Sequence, residues 1–121
     1  MRNSPLESLK KTADFKKVYS LGKFFSNRYF IVYAYPNDQN HPRLGLSLGK
    51  KVGKAVIRNK LRRRVREHFR LAWQKLPSLD IAVIARTQAK KLAYKGKYSD
   101  IELAVSCLMD KHLKMQSESQ K

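Results

Sequence analysis

The spacing of apolar and polar positions divides the chain into alternating helical and extended stretches. Phe15, Val18 and Tyr19 recur at i, i+3 and i+4 behind Thr12, which can cap a helix, and Gly22 follows as a stop. This predicts a short first helix; residues 1–10 carry no period and are expected to be mobile. From Arg28 to Tyr35 (RYFIVYAY) aromatic and β-branched residues alternate, and Pro36-Asn37-Asp38 ends the run. Phe30, Val32 and Ala34 fall on one face of this strand, as core; Tyr29, Ile31, Tyr33 and Tyr35 fall on the other. A second strand, Arg43 to Leu48, puts Leu44, Leu46 and Leu48 on one side and Gly45, Ser47 and Gly49 on the other. If the two strands pair directly, large rings neighbour very small residues and leave a groove.

A long helical period follows, from about Gly53 to Leu76, with Pro77 as its end. Ile57, Leu61, Val65, Phe69, Ala72 and Leu76 form its apolar stripe. Leu79 to Arg86 (LDIAVIAR) reads as a buried strand, so strand, helix and strand make a crossover unit with parallel strands. Residues 87–97 read as a basic loop. Ser99-Asp100-Ile101-Glu102 is a capping box, opening a last helix with Ile101, Val105, Leu108 and Met109 inward. Lys114 to Lys121 reads as a frayed polar tail. The whole, 1–121, is read as one domain with an ordered core over about 8–113.

Charge changes this picture. The chain carries 27 basic and 9 acidic side chains, a net charge of +18. Within Lys50–Arg70 the basic residues Lys50, Lys51, Lys54, Arg58, Lys60, Arg62, Arg63, Arg64, Arg66 and Arg70 face a single acid, Glu67, for which an i, i+4 pair with Arg63 is the ordinary reading. The central helix is thus apolar on one side and a rod of positive charge on the other. Such self-repulsion points to a polyanionic partner, and neutralised phosphates release counterions. Arginines around most of the exposed circumference suit folded RNA better than a DNA groove, where a few base-reading side chains share one face. The row Tyr29, Ile31, Tyr33, Tyr35 can stack on unpaired bases or form a second core face, and alternation alone does not decide.

Catalytic equipment is sparse. His41, His68 and His112 have no metal-ligand spacing, the carboxylates are scattered, and Cys107 is the only cysteine, so neither a disulfide nor a cysteine zinc site can form within the chain. No apolar run is long enough to span a membrane, and MRNSPLESLKK lacks a signal-peptide core. These features lead to the expectation of a cytoplasmic binder with no membrane and no metal of its own.

The stretch GKAVIRNKLRRRVREHFR resembles the signature of the bacterial ribonuclease P protein subunit. The matching residues are Lys54-Ala55-Val56, Arg58-Asn59-Lys60, Arg62-Arg63, Arg66-Glu67 and Phe69; Lys60 stands where the family more often has Arg, which keeps charge and loses bidentate geometry. Leu9-Lys10-Lys11, Asp14-Phe15, Val18-Tyr19, Asn27-Arg28-Tyr29-Phe30, Arg43-Leu44-Gly45-Leu46-Ser47 and Ile84-Ala85-Arg86 extend the resemblance over roughly 8–110.

The resemblance implies an α+β fold, an α-β-β-β-α-β-α two-layer sandwich with a left-handed βαβ crossover around the central basic helix and a further short strand near Lys23 to Phe25. It implies a subunit of the endoribonuclease that removes the 5′ leader from precursor tRNA. A catalytic RNA subunit performs the hydrolysis with bound Mg2+, the protein alone has no catalytic residues, and no protein partner is required. It further implies that Lys50, Lys51, Lys54, Arg58, Asn59, Lys60, Arg62, Arg63 and Arg66 bind the RNA subunit, and that Phe15, Tyr19, Ile31, Tyr33 and Ser47 line a cleft for the leader. A structural RNA-binding protein of ribosomal type has a similar composition; only the linked motifs separate the two.

Overall fold

Alternating β-branched and aromatic residues form strands because their side chains pack on a pleated surface, and here they build one five-stranded sheet. The architecture, a computed structural model, describes residues 7–95 and 98–119. The elements are β1 (Glu7–Ser8), α1 (Thr12–Leu21), β2 (Lys23–Ser26), β3 (Phe30–Pro36), β4 (Arg43–Ser47), α2 (Ala55–Ala72), β5 (Leu79–Ala85), α3 (Ala89–Lys95) and α4 (Tyr98–Ser119). Single 3-10 turns, Lys50–Val52 and Trp73–Lys75, flank α2. The sheet order is β1-β4-β5-β3-β2. β4 is parallel to β1 and β5, whereas β3 is antiparallel to β5 and β2. The expected crossover is therefore present, with α2 joining the parallel neighbours β4 and β5.

One sheet face carries the main core. Phe30, Val32 and Ala34 of β3, Leu44 of β4 and Ile81 and Val83 of β5 pack with Ile57, Leu61, Val65 and Phe69 of α2 and with Ile101, Val105, Leu108 and Met109 of α4. Burial of each large apolar side chain contributes roughly 1.5–3 kcal/mol. The other face carries a smaller cluster, Leu9, Val18 and Ala82, with Phe15, Tyr33 and Tyr35 against it. It is made by α1, which crosses β3 and β5.

Several expectations change. Within 1–10, Glu7 and Ser8 pair with Arg43 and Leu44, and Leu9 is buried; an edge of β4 was available and a parallel strand filled it. Residues 1–6 lie outside the described residues. The N-cap of α1 is Lys11, without a side-chain cap; Thr12 is already helical, and Asp14 supplies negative charge to the first turn. β3 and β4 are not neighbours: β5 lies between them, because it pairs with both. The loop expected over 87–97 contains α3, whose Ala89 and Ala93 are small enough to pack closely against α2. The helix α4 already includes Tyr98, so Ser99 is not its cap by position, and the Ser99 side chain lies outside the described residues. At its far end α4 continues to Ser119, past the expected limit at 113.

His112 fastens α4 to the sheet. It is 2% exposed, its Nε2 donates to the carbonyl oxygen of Val32 at 2.7 Å, and its ring stands edge-on to Phe25 with centroids 4.7 Å apart. Burial pushes its pKa below the ordinary value, with the Val32 hydrogen bond opposing in part. The folded imidazole is neutral, so the unfolded chain takes up the proton first. Stability should be fully present above the unfolded value of about 6.5 and decline as pH falls through the lower folded value. In urea titrations from pH 7.5 to 5, His112→Gln should show a flatter decline; identical slopes would remove His112 as a source. His68 shifts in the same direction, by burial and against Glu102, and is common to both proteins.

Candidate nucleic-acid interface

The N-terminus of α2 concentrates positive charge. Lys54, the N-cap, makes no side-chain cap, and no acidic residue lies in the first turn. The leading N–H groups of a helix without a capping side chain carry partial positive charge outward. Gly53, at φ 149°, turns the chain from the 3-10 turn into Lys54, a conformation that favours glycine. Lys50, Lys51 and Lys54 are exposed around this end. Arg58, half-buried, has its Nε shielded from solvent without a hydrogen-bond partner. An unsatisfied buried donor costs free energy until an acceptor arrives.

The opposite sheet face carries an aromatic row. Phe15 and Tyr19 of α1 have ring centroids 6.1 Å apart, Tyr19 stands edge-on to Tyr33 at 5.0 Å, and Tyr33 lies 5.2 Å from Phe24 of β2. Tyr19 is 37% exposed. Burial, with a lesser contribution from Tyr33, raises the Tyr19 pKa, so it stays a neutral hydroxyl. Pairing sets Phe24, Tyr33, Ala82 and Gly45 in one line across the sheet. Gly45 gives no groove floor, because Phe15 covers it: a Cβ there would collide with the Phe15 ring. The open line is the next one, Ser26, Ile31, Ile84 and Ser47, whose members are exposed or half-buried. At its β4 end it meets a depression of about 700 Å³ lined by Ser47, Lys50, Lys51, Ile84 and Arg86 among others. A cleft with aromatic and aliphatic walls thus opens onto the basic turn that leads into α2.

Residues 4–109 match the family described as Ribonuclease P. The chain belongs to the ribonuclease P protein family. It is 40% identical over 105 residues to the ribonuclease P protein component of Clostridioides difficile, covering 85% of this chain and 89% of that protein. Identity to the Staphylococcus epidermidis ribonuclease P protein component is also 40%, over 109 residues, covering 88% and 95%. The fold resembles the RNase P protein of Staphylococcus aureus (TM-score 0.78, 38% identity, 85% of this chain and 92% of that one). It likewise resembles the RNase P protein of Thermotoga maritima (TM-score 0.77, 34% identity, 84% and 94%).

As a ribonuclease P protein, a subunit of an endoribonuclease that partners the ribonuclease P RNA, the chain uses its basic helix unevenly. Asn59, Arg62 and Arg63 are exposed, and Arg62 donates to Asn59 Oδ1 at 2.6 Å. Arg66 reaches Ser8 Oγ at 3.2 Å. Lys60 turns inward: its Nζ donates to the Ala93 carbonyl at 2.7 Å, in the last turn of α3, where unpaired carbonyls attract a cation. A lysine at this position therefore has a structural use that its motif did not reveal. Glu67 pairs with Arg70 at 2.8 and 2.6 Å rather than with Arg63, and this hydrogen bond leads in lowering its pKa. The sequence-predicted cleft residues Phe15, Tyr19, Ile31, Tyr33 and Ser47 share one sheet face. Sequence reasoning missed Phe24 and Ile84, because β2 is short and β5, apolar apart from Asp80, shows no alternation.

Among the described residues, no three His, Cys, Asp or Glu side chains come together to hold a metal ion, and no helix is long and apolar enough to cross a membrane.

Proposed function

We propose that this chain is the ribonuclease P subunit that removal of the 5′ leader from precursor tRNA requires, working in the cytoplasm by binding rather than by chemistry. The exposed side of α2, with Lys50, Lys51, Lys54, Arg58, Asn59, Arg62, Arg63 and Arg66, binds the ribonuclease P RNA; Lys60 adds charge from its place beside α3. The cleft lined by Phe15, Tyr19, Ile31, Tyr33 and Ser47 takes the single-stranded leader in extended form, its bases on the rings. Hydrolysis is carried by Mg2+ held on the RNA, which supplies an activated water. The observation carrying this reading is the partly exposed aromatic row on the face opposite the basic helix, with Ile84 of the neighbouring line reaching the depression at Ser47 and Lys50 that adjoins the basic turn. A purely structural RNA-binding protein has no evident need for that row.

The test is reconstitution. Protein free of RNA should leave precursor tRNA intact; with a bacterial ribonuclease P RNA at low magnesium it should restore 5′ maturation. Cleavage by RNA-free protein would overturn the division of labour. Separately, Arg62→Ala and Arg66→Ala should each lower the salt slope of RNA-subunit binding by about one counterion. An unchanged slope in filter-binding titrations would take that residue out of the interface.

A further inference from the structure

The aromatic row does not stop at the residues that the resemblance assigns to the cleft. Phe24 lies on β2, the last strand on that side of the sheet, and is paired in register with Tyr33. Its ring is inclined 34° to that of Tyr33, with centroids 5.2 Å apart, yet it remains 57% exposed. So large an exposed ring gains little from the fold: one side leans on Tyr33 and much of the rest meets water. Ser26, on the same face of β2 as Phe24, is exposed, so the site offers an apolar platform with a hydroxyl beside it. Measured across the strands, β4 to β2 is three spacings, or about 14 Å at the usual 4.8 Å per strand. The Ser47 end of that span adjoins the basic turn before α2, and the Phe24 end is the far edge of the sheet.

We propose that Phe24 is a stacking platform for a leader nucleobase distal to the cleavage site, a specificity element that makes this chain favour precursors whose leaders reach the edge of the sheet. This rests on the leader-cleft reading and extends it. A ring stacks on any base with little regard to sequence, so the selection is for leader length. The exposure of Phe24 and its place at the edge of the row both point this way; a ring serving only to cover Tyr33 would lie flatter and be less exposed.

The experiment uses holoenzyme reconstituted with a bacterial ribonuclease P RNA, and measures Kd for precursors with long and truncated leaders and for mature tRNA, in calcium to slow cleavage. Phe24→Ala should weaken long-leader binding about tenfold and leave truncated-leader and mature tRNA binding unchanged. Phe24→Tyr should restore the long-leader affinity, and Phe24→Leu, apolar but without a π face, should not. Equal affinities for Phe24→Ala and the parent protein on long leaders overturn the proposal, as does the same loss on every RNA or full recovery with leucine. Tyr33→Ala in the same assay separates the two levels. If it weakens long-leader binding while Phe24→Ala does not, only the extension falls; if neither does, the leader cleft falls with it.

Discussion

Tyr33→Ala is expected to weaken the holoenzyme's affinity for precursor tRNA by about 1–3 kcal/mol, roughly five- to 150-fold, and to leave mature tRNA affinity close to the parent value. Tyr33 is the centre of the row: its ring contacts both Tyr19 and Phe24. Truncation removes one stacking surface and loosens two others. The ring is half-buried and belongs to the smaller of the two clusters, so the main core survives the change. Phe15→Ala should act in the same direction through a different route, because Phe15 both walls the cleft and covers Gly45. Competition binding with leader-bearing and mature tRNA is the measurement. Equal losses for both RNAs would assign Tyr33 to general stability and away from the leader.

The second large effect concerns stability. Arg43→Ala should cost about 3–5 kcal/mol, the range for stripping the partner from a buried charge. Asp80 is 4% exposed in the middle of the sheet and accepts from Arg43 Nε at 2.7 Å and Nη2 at 2.6 Å, with Asn37 Nδ2 donating at 2.8 Å. Arg43 also approaches Asp14 of α1 at 3.6 Å, so one guanidinium ties β4, β5 and α1 together. Without it the carboxylate keeps one neutral donor in a poorly solvated place, and α1 loses an anchor at one end of the cleft. Urea unfolding should show the midpoint moving sharply down. Pairing Arg43→Met with Asp80→Asn should recover much of the loss, because no unpaired charge is then left behind. A loss under about 1 kcal/mol for Arg43→Ala would mean that solvent reaches Asp80 despite its burial.

Much of this was legible in the chain, and the reasons differ by element. The apolar stripe of α2 was visible because four buried positions recur at the helical period, and the charges between them had only the exposed side to occupy. The alternation in β3 separated Phe30, Val32 and Ala34 from Tyr33 and Tyr35 for the same local reason. Alternation said nothing of neighbours: Tyr33 meets Ala82 and not Gly45, because strand order depends on what the distant β5 pairs with. β1 escaped notice because two residues carry no period, and α3 because its small apolar residues sit among lysines.

The sequence by itself determined that this protein carries a two-sided basic helix and a strand with an aromatic face, since both follow from residue type and local period. Its linked motifs also determined the family. Only the tertiary structure decided what each charged side chain does. Lys60 is held by a carbonyl on α3 and Arg43 by a carboxylate on β5, whereas Arg58 keeps a shielded Nε without an acceptor. It also decided that Phe24 completes the row. These are contacts between residues far apart in the chain, and their energies depend on burial and distance, which no local pattern encodes.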